Sequence, residues 1–490
     1  MQLSKHIVPK KELPEKVLQF GTGVLLRGLC DYFIDKANKQ GIFNGSVVVV
    51  KSTSSGGADE FASQDGLYTH FVRGIENGVT KDESIVNESI SRVVSANDQW
   101  QDVLKCAVNP DIQLIISNTT EVGITYHEEN IFEGVPASFP GKLLAFLHER
   151  YKAFNGSDEA GMVIIPTELI TENATKLKAI LLQLAAFNHL NDGFVKWLEN
   201  ANHFCNSLVD RIVPGKLSGG EKTAAQQSLG YTDDLMIMSE VYRLWAIETS
   251  SEKVKNVLSF SQADDGVVLA PDIYKFRELK LRLLNGTHTY LCGLAVLAGF
   301  ETVRDAMQKT YFKSFVTELM LNEICNAITD DSISYDEAKT FSLKVIDRFS
   351  NPYIEHKWLS IALQYTSKML LRNVPVLLKY YERRHEVPYF MATGFAAYLL
   401  FMKNCKTSDG EGQTGEYLIK DDKAEILKKY WAEAADADDL VDRALADQTL
   451  WQTDLTKPEG FARAVKESIQ NLTHKGIETT LQNLSYLNIA

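Results

Sequence analysis

The sequence predicts an α/β first half followed by an all-helical second half. Three observations lead there. Residues 16–50 run strand, glycine turn, helix, strand. Two further runs of aliphatic residues, at 112–116 and 162–165, end in polar residues, as buried parallel strands do. After Pro271 such runs disappear, and apolar residues recur with helical period. At 490 residues the chain has length for two or three domains. The change of pattern near residue 270 divides it into 1–270 and 271–490.

Lys16-Val-Leu-Gln-Phe20 is a buried strand that runs into Gly21-Thr22-Gly23. A helix follows from about Leu25 to Gln40, then a second buried strand, Ser46-Val-Val-Val-Val50. This succession opens a Rossmann-type doubly wound domain that binds a dinucleotide. The glycines let the backbone approach a pyrophosphate, and the helix N-terminus stabilises its charge. Gly21, Gly23 and Gly28 form GxGxxxxG, with Leu26 where the third glycine usually stands. The second strand ends in Lys51-Ser52-Thr53-Ser54-Ser55, without the acid that usually holds the adenosine ribose. A lysine among hydroxyls suits a 2′-phosphate and equally suits an exposed loop, so NAD and NADP both stay open.

Residues 58–110 read as a short strand from Gly66 to Val72, polar turns, and a helix from Trp100 to Val108. The strand Ile112–Ile116 ends in Ser117-Asn118-Thr119-Thr120-Glu121. A doubly wound sheet puts such an end near its cofactor; a loop capping the next helix reads equally well. A helix from Lys142 to Phe154 leads to the strand Met162–Ile165, closed by Pro166-Thr-Glu168. Asn173 precedes a helix from Lys176 to Leu190. It is either an N-cap or an amide presented to substrate at the sheet edge. Asp210 and Arg211 lie between apolar residues, like a paired charge in a packed region. Residues 215–234 read as polar turns, and Leu235–Met238 and Trp245–Glu248 as strands. Beyond them, helical period covers roughly 276–298, 301–327, 334–348, 353–371, 374–382, 388–403, 420–434, 438–447, 459–472 and 476–484.

The helical half opens on Lys280-Leu-Arg-Leu-Leu-Asn285-Gly-Thr-His288. On an ideal α-helix Lys280 and His288 stand roughly 12 Å apart along the axis, and Asn285 and His288 lie on adjacent faces. The three could line one groove without crowding one atom. That suits a substrate with several oxygens in a row, an open-chain sugar acid or polyol. An acid–base lysine must be able to shed its proton, which burial and a neighbouring cation, Arg277 or Arg282, favour. The bland alternative is a solvent-facing lysine, a polar asparagine near a helix glycine, and a satisfied core histidine. Placed at the start of the helical half, the stretch can face the cofactor domain, and ligand clefts favour such junctions.

A net charge of −13 argues against a nucleic-acid partner, and means that an anionic substrate needs a local cationic pocket. The cysteines (30, 106, 205, 292, 325 and 405) form no CxxC pair and read as reduced core residues of a cytoplasmic protein. The N-terminus lacks the apolar core of a signal peptide, and the longest apolar run, Phe395 to Met402, is too short for a bilayer. No compact His, Cys or Asp set suggests a metal.

Gly21-Thr22-Gly23 with Arg27, Val209-Asp-Arg-Ile212, and the spacing Lys280-x4-Asn285-x2-His288 resemble the polyol-specific long-chain dehydrogenases, the mannitol dehydrogenase family. The resemblance spans most of the chain. Phe20–Arg27, Gln64–Thr69, Ser117–Glu121, Pro166–Ile170 and Arg348–Pro352 with His356 and Trp358 are similar to its tagaturonate reductase (altronate oxidoreductase) branch. Mannitol-type members tend to carry Ser-Cys-Asp-Asn where this chain has Pro166-Thr-Glu-Leu169. The resemblance implies metal-independent hydride transfer between a nicotinamide, NAD with NADP not excluded, and a secondary alcohol of a sugar acid. It points to D-tagaturonate and D-altronate in hexuronate catabolism. Lys280 would be the acid–base residue, Asn285 with Asn173 would polarise the carbonyl, and His288 would position the substrate. Cofactor contacts would come from Phe20, Gly21, Thr22, Gly23, Leu25, Arg27, Ser52, Asn118, Thr119 and Glu121. Lys368 matches a family substrate lysine; His356, Arg372 and Arg211 are further substrate candidates. This chain has Ser360 where the mannitol type has an arginine, and Arg277 where some relatives carry a glutamate that aids proton exit. Fructuronate reductase, a mannitol-type dehydrogenase, and an NAD(H)-binding regulatory protein without turnover are the alternatives.

Overall fold

A computed structural model of the chain describes residues 1–52, 58–119, 122–217, 219–407 and 417–487. The chain divides into two units: Met1–Arg73 with Thr80–Ile273, and Gly74–Val79 with Tyr274–Ala490. Among the strands of the first unit are β1 (Glu15–Phe20), β2 (Ser46–Lys51), β3 (Tyr68–Glu76), β4 (Val79–Asn87), β5 (Ile90–Ser95), β6 (Leu114–Ser117), β7 (Val163–Pro166), β8 (His203–Phe204) and β9 (Ser207–Asp210). Six of them form one sheet in the order β5-β2-β1-β6-β7-β8, with every neighbouring pair parallel. The order reverses at β1, which has β2 on one side and β6 on the other. That is the switch point of a doubly wound sheet, where ligands meet strand carboxyl ends.

The β-branched runs make this sheet because both its faces are covered. Val47 and Val49 of β2 enter one core with Ile116 and Ile165, while Val48 and Val50 enter the other with Ile115 and Ile164. A strand buried on both sides has no use for alternating polarity. The helix expected from Leu25 to Gln40 is two, Val24–Gly28 and Cys30–Lys39, broken at Leu29 with φ −128° and ψ −71°. Gly28 sits at the break, and a Cβ there would lie 2.9 Å from a Val213 methyl. It therefore supplies the close helix packing usually given to the third glycine of the motif.

β3 extends the strand expected from Gly66 to Val72, and β4 was not expected. β3 turns into β4 at Asn77-Gly78, both with positive φ as a type I′ hairpin requires. β4 is mostly exposed and carries Lys81, Asp82 and Glu83, so no apolar alternation marks it. The helix Gly219–Leu229 lies where turns were expected; it buries no residue and follows its Glu, Lys, Ala and Gln content.

From Tyr274 on, the described residues of the second unit form helices and one two-stranded parallel pair, Cys405–Thr407 with Tyr417–Ile419, while its segment Gly74–Val79 carries the tip of the β3–β4 hairpin. The unit's buried centre is Phe395 on the helix Tyr389–Asn404. That ring meets Tyr290 at 6.1 Å, Trp451 at 5.7 Å and Phe461 at 5.3 Å. The helix expected over 301–327 breaks, with Val303–Met307 separate from the stretch that starts at Thr310. Conversely, the helices expected over 353–371 and 374–382 are joined in one run from Tyr365 to Arg383, and a short separate helix, Trp358–Ile361, precedes it. Among the described residues three segments are wound as π-helix: Lys280–Gly286, Leu319–Ile324 and Met369–Asn373. Among the described residues no helix is long and apolar enough to cross a membrane.

Candidate active site

The glycine turn lies at the carboxyl end of β1. Gly21 has φ +131°, and a Cβ on it would sit 3.0 Å from the Asn118 carbonyl oxygen, so only glycine fits. The Asn118 amide in turn donates to the Phe20 carbonyl and the Gly21 amide to Val50, tying the turn to β6 and β2. Gly23 has ordinary dihedrals, is exposed, and has nothing within 4 Å of its missing Cβ. Beneath the turn, Gln19 donates to the Gly21 carbonyl and to Asp31, both at 3.4 Å. Burial pushes the Asp31 carboxyl up to about 7.

Around this turn the expected cofactor residues divide. Gly21, Thr22 and Gly23 form the open edge, with Leu25 half buried against the core behind it. The Phe20 side chain is buried against Phe139, with centroids 5.2 Å apart, leaving only its backbone at the edge. Asn118 donates to Thr167, and Thr119 donates through its amide and hydroxyl to Glu168, at 2.9 and 3.0 Å. Ser52, at the end of β2, has a buried hydroxyl with no protein partner among the described residues. Glu121 and residues 53–55 lie outside the described residues.

The structure corrects three expectations here. Arg27 is buried, donates to the Leu235 carbonyl and lies over the rings of Phe61 and Tyr68. It braces the first helix and presents no charge to a cofactor phosphate. Arg211 is also buried: it donates to the carbonyls of Glu240 and Gly28, at 2.9 and 2.6 Å, and stacks over Tyr32. It belongs to the packed interior of the first unit, not to a substrate carboxylate. Asn173 is neither an N-cap nor a free amide, since Glu172 precedes the helix in the left-handed region. Its amide donates to the carbonyls of Pro166, Glu168 and Ser207, and its oxygen accepts from Ala174 and Ser207. Fully enclosed and fully bonded, it brackets β7 to β9 and has no donor left for a carbonyl.

In the second unit, Lys280 and Asn285 are half buried, and His288 is buried. The π winding changes the geometry assumed for them. On an α-helix, residues five apart are rotated by about 140° from one another. A turn closed by i→i+5 bonds brings them nearer to one side, so Lys280 and Asn285 are closer in direction than the ideal helix implied. His288 stacks on Phe349 at 4.0 Å and meets His356 edge-on at 5.1 Å and Trp358 at 6.0 Å. Burial, then the surrounding His356, Arg348, Arg372 and Lys368, hold its pKa well below the usual histidine value. It is therefore a neutral imidazole at neutral pH, and its buried Nε2 has no partner among the described residues.

Lys368 and Arg372 stand one turn apart on the neighbouring helix. Lys368 Nζ donates to the Ile361 carbonyl at 2.8 Å, and Arg372 Nη1 to Thr289 Oγ1 at 3.2 Å. Burial and the Arg372 charge pull the lysine below its ordinary value, while Cys292 and Asp421 act weakly the other way. Asp421 itself is engaged by the amides of Thr366 and Lys423. Burial likewise lowers the pKa of His356 and Arg372. Among the described residues no carboxylate pairs with Lys368 or Arg372. Arg282, expected to place its charge against Lys280, is turned instead to Glu278 at 3.1 Å.

Sequence reasoning did not single out Glu168, Thr289, Phe349 and Asn373, and offered Arg282 only as a cation beside Lys280. Pro375, two residues beyond Asn373, was the available signal for an irregular helix there.

Two family models cover most of the chain: the mannitol dehydrogenase Rossmann domain over residues 15–259 and the mannitol dehydrogenase C-terminal domain over 272–473. An altronate oxidoreductase of Bacillus subtilis (strain 168) is 37% identical over 476 residues, 96% of this chain and 95% of that one. Two solved structures share the fold. A D-sorbitol dehydrogenase in substrate-free form has a TM-score of 0.78 at 20% identity, covering 98% of this chain and 100% of that one. The Pseudomonas fluorescens mannitol 2-dehydrogenase, solved as a ternary complex with NAD and D-mannitol, has a TM-score of 0.64 at 22% identity, covering 99% of each chain. A Rossmann-type dinucleotide domain followed by a helical domain that carries Lys280, Asn285 and His288 is thus matched over most of its length, and the chain belongs to the mannitol dehydrogenase family of oxidoreductases.

Proposed function

We propose that the chain is an NAD(H)-dependent reductase that interconverts a keto-uronate and its aldonate, D-tagaturonate and D-altronate. The observation that carries the anionic substrate is the set Lys368 and Arg372 beside His288, cationic and without a carboxylate partner among the described residues. On a chain of net charge −13, such a set suits a substrate carboxylate. The resemblance to altronate oxidoreductases supports the same class.

The first unit's residues fit a dinucleotide. The open space at Gly23 admits a pyrophosphate against the backbone, and the orphaned Ser52 hydroxyl sits at the end of β2 where a ribose is expected. When bound, the reduced nicotinamide supplies a hydride to the keto carbon. As negative charge grows on the carbonyl oxygen, the Asn285 amide donates to it, a contribution of about 3 kcal/mol for one well-placed donor. The Lys280 ammonium then gives its proton to the alkoxide and recovers one from solvent; in the oxidising direction it accepts the hydroxyl proton. Neutral His288 exchanges a hydrogen bond with a neighbouring substrate hydroxyl through Nε2. Asn173 holds the ends of β7 and β9 in register and makes no contact with the reacting oxygen.

The test follows NADH absorbance with tagaturonate, fructuronate and fructose in parallel, repeated with NADPH. Fastest turnover of tagaturonate with NADH is expected. Preference for fructuronate or fructose would replace the substrate, and tight NADH binding without any turnover would replace the enzyme.

A further inference from the structure

Two of the π segments, Lys280–Gly286 and Met369–Asn373, satisfy each other's backbone. A residue inserted into a helical ladder leaves a carbonyl without its amide, and a buried carbonyl must find another donor. Pro375 adds a second gap, because it has no N–H for the Leu371 carbonyl four residues back. Arg282 fills that gap: its Nη1 donates to the carbonyls of Leu371 and Arg372, both at 2.9 Å. Its Nε meanwhile holds the buried Glu278. In return, Asn373, fully enclosed, donates its amide to the Gly286 carbonyl at 3.2 Å. Arg372 reaches the Asn285 carbonyl at 3.4 Å, which Thr289 Oγ1 also meets at 2.8 Å.

We infer that Arg282 and Asn373 are positioning residues that latch the two π segments together and so fix the rotation of Asn285 relative to Lys280. Without the latch, the segment 280–286 gains by returning to α winding, which turns Asn285 away from the side of Lys280. The link to chemistry rests on the roles proposed above for Lys280 and Asn285; the latch itself does not.

Two readouts test it. In hydrogen–deuterium exchange, Asn373→Ala should raise exchange across residues 280–289 while the first unit stays unchanged; unchanged protection there overturns the latch. In kinetics with whichever ketose or keto-acid the wild type reduces best, Asn373→Ala should lower kcat by about 10- to 100-fold, the size expected for a misplaced group, with the NADH Kd unmoved. In an Asn285→Ala background the same change should cost little, since the positioned group is gone. Equal losses in both backgrounds, or a loss confined to KM, overturn the positioning role. Arg282→Lys keeps a charge on Glu278 but cannot span two carbonyls, and should reproduce both effects should Asn373→Ala fold poorly. If the wild type reduces no substrate, the functional reading fails, and the exchange measurement still decides the latch.

Discussion

The glycine turn permits a paired test in which stability and cofactor binding separate. At Gly21, φ of +131° lies where an L side chain costs about 1–3 kcal/mol. An added Cβ would also sit 2.9 Å from a Leu26 methyl, which can swing away, and 3.0 Å from the Asn118 carbonyl, which is held at the end of β6 and cannot. Together these put Gly21→Ala at about 2–4 kcal/mol. For a unit of this size that lowers the melting midpoint by roughly 5–15 °C. Gly23→Ala differs: φ is −63° and the added methyl meets nothing, so stability should move by less than about 0.5 kcal/mol. The same methyl would occupy the space through which the backbone meets a pyrophosphate, and NADH affinity should fall about tenfold or more, about 1.4 kcal/mol. Differential scanning fluorimetry without cofactor and NADH fluorescence titration read the two quantities. A Gly23→Ala protein that binds NADH like the wild type would refute the placement of the pyrophosphate. A Gly21→Ala protein that melts like the wild type would refute the strain argument.

Lys280→Ala should lower kcat about 10²- to 10⁴-fold, the usual range for a lost acid–base group, with the NADH Kd nearly unchanged; equal losses in both would reject the proton role. Lys368→Met should raise KM for a keto-uronate far more than for a neutral ketose, and a parallel rise for both would dissociate the lysine from carboxylate recognition. Asp31 offers a pH test. Its folded value of about 7 stands above the ordinary 3.8, so the stability of the buried neutral carboxyl is fully present below pH 3.8 and lost as pH rises to about 7. The loss amounts to about 4 kcal/mol at most. Asp31→Asn should therefore gain in melting midpoint over the wild type between pH 4 and pH 8; a difference that does not change with pH would remove the buried carboxyl from the stability balance.

The sheet of the first unit was legible because its cause is local and repeated. Val47 to Val50, Ile115, Ile116, Ile164 and Ile165 are apolar on both faces, and the glycine turn follows β1 at once. β4 was not legible, since its charged residues face solvent and leave no alternation to read. The helix Gly219–Leu229 was hidden for the same reason. The six cysteines are all buried and unpaired by disulfides, as their apolar neighbours implied. The spacing of Lys280, Asn285 and His288 was read on an ideal α-helix, and the winding of the segment was misjudged. Apolar period assumes an α-helix, and nothing within 280–288 announces the extra residue per turn.

The sequence by itself determined the two-part architecture, the glycine turn and which polar groups the chain carries, because these follow from side-chain type and short-range backbone preference. Tertiary structure alone decided how those groups are used. Arg27, Arg211 and Asn173 were offered as ligand contacts by the family resemblance, yet each donates to carbonyls that the fold brings to it from distant segments. The π turn that carries Asn285 is held by hydrogen-bond partners about ninety residues away, the Arg372 carbonyl and the Asn373 amide. Buried backbone polar groups must be paired, and the chain cannot show which side chain will do the pairing until the segments have met.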